Sequence, residues 1–133
     1  MQTHRGRCLC GTVSFEVQGA PSAFFLCHCS RCRKVSGSAH GANLFFPDGE
    51  IHWLSGHADV RSFALPETRF ARSFCVTCGS ALPYRAASGR VVVPAGSLDT
   101  EVAKRPDAHI QVASCANWDD ALHDVPRFDA YPG

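Results

Sequence analysis

The sequence predicts a small, mainly β fold of stacked antiparallel sheets, in a single domain over residues 1–133. The 133 residues are 45% hydrophobic and 19% charged, which is typical of a globular chain with one core. Apolar residues recur at every second position in short segments bounded by Gly, Pro and Ser, as in half-buried strands. Cysteines one or two residues apart form metal-binding turns between these segments, so we expect only minor helix.

The strands are predicted in order along the chain. TVSFEV is the clearest, because Val13, Phe15 and Val17 alternate and so lie on one face. The predicted strands cover residues 12–17, 22–26, 41–46, 50–55, 60–65, 68–74, 81–85, 90–98 and 109–114.

Turns and two short helices connect these strands. PDGE at 47–50 has proline at the second position of a tight turn. SRCRKVSG predicts a short helix over 30–37 that ends at Gly37, and NWDDALH predicts another over 117–123. No linker, low-complexity tract or repeat of fixed period divides the chain, which supports one domain.

Eight cysteines is a high number for this length, and their grouping favours metal over disulfides. Cysteines this close in sequence seldom meet the geometry of a disulfide with each other, but they converge readily on one ion. A secreted disulfide framework is the alternative interpretation. The groups are RCLCG with Cys8 and Cys10, CHCSRC with Cys27, Cys29 and Cys32, and CVTCG with Cys75 and Cys78, while Cys115 stands alone.

CVTCGS has the form of a zinc knuckle, in which two thiolates grip one ion. Gly79 follows directly and suits a backbone position with positive φ. CLCG has a tighter spacing with a glycine again behind it. Cys8, Cys10, Cys75 and Cys78 therefore predict one four-sulfur site that joins the N-terminal strand to the middle of the chain.

Cys27, Cys29 and Cys32 then form a second group without an obvious fourth ligand. Structural zinc sites are filled by protein, whereas catalytic sites keep a position for water or substrate, and the residues alone leave both open. His28 is expected to point away from a metal that its two neighbours bind. The candidates for a fourth ligand are His28, His40, His52, His109 and Cys115.

The formal net charge of +1 gives no strong field toward nucleic acid or a membrane surface, so neither is expected as a partner. No apolar run approaches the ~20 residues that cross a bilayer. MQTHRGRC has no apolar signal-peptide segment, so we expect a cytoplasmic protein. Several arginines lie beside cysteines, where they either balance metal–thiolate charge or receive a substrate carboxylate. They are Arg5, Arg7, Arg31, Arg33 and Arg72.

The order CxCG, CHCxxCRKxSG and CxxCG, with a late HI…W…PRF segment, resembles the glutathione-dependent formaldehyde-activating enzyme family, which includes centromere protein V. The resemblance implies a β-tent architecture and two Zn²⁺ ions per chain. It implies that Cys8, Cys10, Cys75 and Cys78 hold a structural zinc. It also implies that Cys27, Cys29 and Cys32 hold a catalytic zinc, and Cys115 is no part of the pattern.

The family reaction adds the thiol of glutathione to formaldehyde and gives S-hydroxymethylglutathione. The resemblance thus implies a zinc-dependent carbon–sulfur lyase or synthase, with glutathione as co-substrate and a small aldehyde as partner. Two sets of residues near Cys32 have candidate roles. Arg31, Arg33 and Lys34 are candidates for the glutathione carboxylates, or form an exposed basic turn. Ser36, Ser38 and His40 are candidate donors to the alkoxide, or only cap and support local structure.

Two other functions remain open. In a non-catalytic β-tent module that binds a protein or other partner, a fourth protein ligand would fill the second zinc site. In a metal-free redox protein, Cys29 with Cys32 or Cys75 with Cys78 would form a reversible disulfide.

Overall fold

The computed structural model describes residues 2–133, which form eleven strands in three sheets, one α-helix and four 3₁₀ turns. This confirms the mainly β fold with minor helix. The strands are β1 Thr3–Arg7, β2 Ser14–Gln18, β3 Ala23–Cys27, β4 Gly41–Phe46, β5 Glu50–Ser55, β6 Val60–Ala64, β7 Ala71–Cys75, β8 Ala81–Leu82, β9 Tyr84–Arg85, β10 Val91–Pro94 and β11 Ala108–Ile110; the helix is α1 Ser30–Ser36. The 3₁₀ turns are His57–Asp59, Ala95–Ser97, Val112–Ser114 and Leu122–Asp124.

The N-terminal sheet has the order β1-β2-β5 and the third sheet the order β6-β7-β8, and all their pairings are antiparallel. In β2, Phe15 and Val17 are fully buried while their neighbours are half-exposed, as the alternating pattern predicts. One face of the N-terminal sheet therefore supplies side chains to the core.

The central sheet has the order β11-β3-β4-β10-β9. Its β11 pairs with β3 in parallel, which corrects the expectation of antiparallel sheets throughout. The chain leaves β10 through a 3₁₀ turn and an irregular stretch before β11, and this long crossover lets the strand arrive in the same direction as β3. The Asp107 carboxylate accepts a hydrogen bond from Phe24 N–H at 2.9 Å and fixes the entry to β11.

All three sheets contribute to one core. Its buried side chains include three from around β2, five from the central sheet, one from β8 and two cysteines. These residues are Val13, Phe15, Val17, Phe24, Leu44, Phe46, Val91, Val93, Leu82, Cys8 and Cys75. Because Cys8 and Cys75 lie in this core, the turns that carry the cysteines pack directly against the apolar interior.

Several predicted elements have the observed bounds or nearly so. The strands over 41–46 and 50–55 are confirmed with the same bounds, and α1 ends at Gly37, whose φ is 62°. The strand predicted over 90–98 is shorter and stops at Pro94, because proline has no N–H to continue the ladder.

The C-terminal predictions are less accurate. The strand expected over 109–114 stops at Ile110, and Gln111 takes a positive φ of 58°. The helix expected over 117–123 is wrong, since only the 3₁₀ turn Leu122–Asp124 forms there. Ala121 has a φ of 52°, which a right-handed helix cannot contain. Among residues 2–133, no helix has both the length and the apolar composition to cross a membrane.

Candidate functional site

Four cysteines meet where β1 and β7 end, and we call them the four-cysteine cluster. Cys8 follows β1 and Cys10 lies in the next turn, while Cys75 is the last residue of β7 and Cys78 lies in the turn after it. Their Sγ atoms all lie within 4.8 Å of one another. The fold thus brings together the four residues that the sequence pairs, from two segments far apart in the chain.

The spacing of these sulfurs fits a tetrahedral zinc ion. Four sulfurs at ~2.3 Å from a tetrahedral centre are about 3.8 Å apart. The Sγ atoms of Cys8 and Cys10 lie 3.5 Å apart, and those of Cys10 and Cys75 lie 3.9 Å apart. Cys8 and Cys75 are buried, so two of the four ligands belong to the core. The donor set and its dimensions are those of a structural Cys₄ site.

The turns around this cluster direct polar groups at the sulfurs. Val13 N–H donates to Cys8 Sγ at 3.3 Å, and Gly79, with a φ of 75°, donates its N–H to the Cys75 carbonyl at 2.8 Å. Ser80 Oγ accepts from Leu9 N–H at 2.9 Å and lies 3.2 Å from Cys78 Sγ, so one hydroxyl joins the two turns. This hydroxyl, with nearby backbone groups, lowers the pKa of Cys78 to about 5.

The other three cysteines surround the start of α1 and form the three-cysteine cluster. Cys27 ends β3, Cys29 is the N-cap of α1 and Cys32 lies in its first turn. Cys32 N–H donates to Cys29 Sγ at 3.3 Å, and the three Sγ atoms lie within 4.8 Å of one another. The local geometry of this strand–turn–helix junction is therefore sufficient to bring the three sulfurs together.

Within residues 2–133, no histidine, carboxylate or further cysteine joins the three-cysteine cluster as a fourth ligand. His28 turns away from the sulfurs, as expected, and its Nε2 lies 2.8 Å from Nδ1 of His109. None of the remaining candidates, His40, His52 and Cys115, places a ligand atom in the group. The described side chains thus provide three sulfur donors for a metal ion and no fourth ligand.

Burial raises the pKa of the Cys32 thiol, and the neighbouring Cys29 and Cys27 raise it further. For Cys29, burial acts in the same direction, but hydrogen bonds from Cys32 and Cys27 leave its pKa lowered. Three thiolates this close repel one another, so full ionisation of the cluster requires a cation. Soft sulfur donors of this kind fit Zn²⁺.

A cavity of about 600 Å³ adjoins this cluster, and Cys32 forms part of its wall. Cys8 lines it too, so the cavity lies between the two clusters. Two of the candidate alkoxide donors, Ser36 and His40, line the cavity, whereas Ser38 does not.

The cationic residues of the cavity are not the ones nearest Cys32 in sequence. Arg31, Arg33 and Lys34 do not line the cavity, but Arg7 and Arg72 do. Arg72 donates from Nη1 to the Val35 carbonyl at 2.9 Å, which holds its guanidinium beside α1. Arg7 Nε lies 3.5 Å from an Asp99 carboxylate oxygen. The arginines flanking the cysteine pairs were among the candidates, and the fold selects these two.

Sequence reasoning missed Asn43 and Tyr84, which also line the cavity. Burial raises the pKa of the Tyr84 phenol, and the charge of Cys32 adds to the effect. Like any phenol, Tyr84 is protonated at neutral pH and offers a hydrogen-bond donor to the cavity. The available signal for Asn43 was a polar residue inside the otherwise apolar strand GANLFF.

Comparisons with known proteins agree with this architecture. The sequence model of the family described as glutathione-dependent formaldehyde-activating enzyme matches residues 3–114. None of the curated proteins matches the chain. A crystal structure of a Rhodobacter sphaeroides protein, a structural genomics target, is similar with a TM-score of 0.58 and 21% identity. The similarity covers 79% of this chain and 98% of that chain, and at this identity it shows a shared fold.

Proposed function

Because the chain belongs to the glutathione-dependent formaldehyde-activating enzyme family, we propose that it is a zinc-dependent carbon–sulfur lyase. In the synthase direction it joins a thiol, glutathione, to a small aldehyde such as formaldehyde. The observation that carries this proposal is the three-cysteine cluster, which has no fourth side-chain ligand among the described residues and opens to a cavity of about 600 Å³.

Two zinc ions are part of this proposal. Cys8, Cys10, Cys75 and Cys78 would hold the structural ion, and Cys27, Cys29 and Cys32 would hold the catalytic one. A zinc ion held by these three cysteines would act as a Lewis acid that favours the thiolate form of an incoming thiol. A free thiol is only a few per cent ionised at neutral pH, so full ionisation gives about 30-fold more nucleophile, or ~2 kcal/mol of barrier.

The remaining acceleration has to come from the cavity, by positioning the reactants and stabilising developing charge. The thiol sulfur forms a bond to the carbonyl carbon, the C=O π pair moves to oxygen, and the thiol proton is released. The alkoxide then takes one proton to give the hydroxymethyl group. We assign this donation to the Tyr84 phenol, with His40 and Ser36 nearby in the wall. The thiol proton passes to solvent, and the Tyr84 phenolate regains one proton from solvent, so the step balances.

The size and charge of the cavity support a thiol much larger than the aldehyde. Formaldehyde has only two heavy atoms and would leave most of 600 Å³ empty, whereas a tripeptide would use it. Arg7 and Arg72 line the cavity and are suited to the two carboxylates of glutathione. This assignment replaces Arg31, Arg33 and Lys34 as the expected carboxylate partners.

The test is the substitution Cys32→Ala, with Cys115→Ala as the matched control because Cys115 is exposed and outside both clusters. Exchange NMR between formaldehyde and its glutathione adduct measures the enzyme-dependent rate above the uncatalysed one. We expect Cys32→Ala to lose this rate while keeping its circular dichroism spectrum, and Cys115→Ala to keep both. Retained exchange in folded Cys32→Ala would refute catalysis at the three-cysteine cluster, and no exchange above the uncatalysed rate with the unsubstituted protein would leave a non-catalytic zinc module.

A further inference from the structure

The buried His28, the half-buried Asp119 and the exposed His109 form a network next to the three-cysteine cluster. His28 is the residue between Cys27 and Cys29, and its side chain is only 5% exposed. Its Nε2 lies 2.8 Å from Nδ1 of His109, and its Nδ1 lies 3.1 Å from Oδ2 of Asp119. The proposed reaction uses none of these three side chains.

The contacts of His28 favour one tautomer, assigned here from the hydrogen-bond network. A lone pair on His28 Nδ1 would face the Asp119 carboxylate and be repelled, so Nδ1 carries the proton. With one proton on the ring, His28 Nε2 accepts from Nδ1–H of His109. In this tautomer, His109 donates to His28, and the Nδ1–H of His28 faces the Asp119 carboxylate.

His28 Nδ1 lies close to the Asp119 carboxylate, but the angle is poor for a hydrogen bond. The distance of 3.1 Å is that of a hydrogen bond, yet the N–H direction misses the carboxylate oxygen and no other acceptor among residues 2–133 reaches His28 Nδ1. A buried N–H without a partner is costly, so Asp119 is the group that compensates it. Loss of this carboxylate would leave His28 free to reorient.

Reorientation of His28 would move the sulfurs, because its backbone is continuous with both ligands. Successive side chains in an extended segment point to opposite sides, so holding His28 on one side directs Cys27 and Cys29 to the other. The backbone is fixed as well, since His28 N–H donates to the Ile110 carbonyl at 2.9 Å. The residue is therefore held at its backbone by β11 and at Nε2 by His109, while Nδ1 lies in close contact with the Asp119 carboxylate.

The network also extends to the cavity and to the C-terminal segment. The His28 ring lies 5.1 Å from that of His40, which lines the cavity. Asp119 belongs to residues 115–133, beyond the 3–114 that match the family model. In this largely exposed segment Ala116 is buried and its carbonyl accepts from Asp119 N–H at 3.0 Å, which anchors the turn that presents the carboxylate.

We propose that Asp119, His28 and His109 are positioning residues that orient the Cys27–Cys29 turn for metal binding, so that the C-terminal segment supports the three-cysteine cluster. This inference depends on the proposed binding of zinc by that cluster. Hydrogen-bonded partners behind metal ligands typically contribute 10- to 100-fold to metal affinity.

The experiment follows zinc release from the full-length, zinc-loaded protein into a chelating dye. Asp119→Ala and His109→Ala are expected to release zinc from the three-cysteine cluster about tenfold faster than the unsubstituted protein. Release from the four-cysteine cluster should stay unchanged and serves as an internal control. Asp120→Ala is the matched control, because Asp120 is the exposed neighbour, and it should change neither phase.

Two further readouts separate positioning from general loss of structure. Asp119→Asn keeps an acceptor oxygen and should release zinc more slowly than Asp119→Ala. With Co²⁺ in place of zinc, Asp119→Ala should alter the sulfur-to-cobalt absorption of the three-cysteine cluster alone.

Equal acceleration of both phases, or release from Asp119→Ala that matches the unsubstituted protein, would overturn this inference and leave the proposed function standing. A protein that releases zinc only from the four-cysteine cluster would overturn both.

Discussion

The two cysteine clusters differ in how the chain builds them. The four-cysteine cluster joins turns 65 residues apart, as the pair Cys10 and Cys75 shows, and two of its sulfurs lie in the core. The three-cysteine cluster comes from one junction between β3 and α1, within residues 27–32. The first cluster therefore depends on the tertiary fold and supports it, whereas the second is prepared locally and presents Cys32 to the cavity.

The largest expected difference between the clusters concerns folding. Structural zinc in small domains contributes an apparent ~10–16 kcal/mol, which is comparable to the whole stability of a domain. Cys75 is fully buried, so Cys75→Ser removes a ligand and places a hydroxyl in the core. We expect this variant to be unfolded or insoluble by circular dichroism, while Cys32→Ser stays folded.

Cys115→Ser is the control for this prediction and should unfold at the same temperature as the unsubstituted protein. If Cys32→Ser unfolds like Cys75→Ser, the two clusters have the same role in stability and the contrast between them is wrong.

The second largest difference is expected in the pH at which each cluster releases zinc. Metal binding displaces thiol protons, so a raised pKa of a ligand makes proton competition stronger at a given pH. Burial raises the pKa of Cys32 much more than that of Cys8 in the other cluster. Hydrogen bonds lower the pKa of Cys29 and of Cys10, and the Ser80 hydroxyl helps lower that of Cys78 to about 5. As the pH falls from 8, the three-cysteine cluster should therefore release zinc first. Apparent affinity falls about tenfold per pH unit for each displaced proton.

A metal-indicator titration between pH 8 and pH 4 measures these steps. Cys27→Ser should abolish the step at higher pH and keep the one at lower pH. A single step for both ions, or earlier release from the four-cysteine cluster, would contradict the assignment.

Sequence reasoning was strongest where local chemistry fixes the structure. The strands over 41–46 and 50–55 follow from period-two patterns, and α1 follows from its Gly37 stop. The cysteine spacings were sufficient to predict which sulfurs meet. In contrast, β1 has the sequence THRGR and buries only His4 and Gly6, so it offers no apolar alternation to detect.

The predictions that differ from the structure concern residues and strands that are brought together from distant parts of the sequence. The parallel pairing of β11 with β3 depends on the path of the crossover, which no local pattern encodes. For the same reason Arg31 and Arg33 were as good candidates for the cavity as Arg7 and Arg72, although only the latter pair lines it. Proximity to Cys32 in sequence says little here, because a helix directs successive side chains to different sides.

Substitution of Arg72 tests whether the strand that leads to the four-cysteine cluster also contributes to substrate binding. It lies on β7, the strand that ends in Cys75, yet it lines the cavity beside Cys32. A charge-assisted hydrogen bond to a carboxylate is worth about 1.5–3 kcal/mol, so Arg72→Gln should raise the KM for glutathione about tenfold or more. The value of kcat should change less, because this contact forms before the reaction.

A thiol without carboxylates, 2-mercaptoethanol, distinguishes binding from distortion and should react equally with Arg72→Gln and the unsubstituted enzyme. Arg69→Gln is the matched control, since Arg69 is exposed and outside the cavity. Equal losses with both thiols would assign Arg72 to supporting α1 through the Val35 carbonyl instead.

The smallest effect is expected at Asp107, which holds the opposite end of β3 from Cys27. Its carboxylate accepts from Lys104 Nζ at 2.9 Å and from Phe24 N–H, and these bonds lower its pKa. A lowered folded-state pKa stabilises the fold above the unfolded-state pKa of about 3.9, and this stability is lost as the pH falls through the folded value. Asp107→Asn should therefore melt slightly earlier at pH 7, and the difference should vanish in more acidic solution.

Thermal unfolding of Asp107→Asn between pH 7 and pH 3 measures this dependence, with the exposed Asp129→Asn as control. Zinc release from both clusters should match the unsubstituted protein, because the turn that carries Cys27 and Cys29 is held by its own contacts with β11. Faster release from the three-cysteine cluster alone would mean that its geometry depends on the whole of β3. In that case both clusters depend on the tertiary fold, and they differ only in how strongly they depend on it.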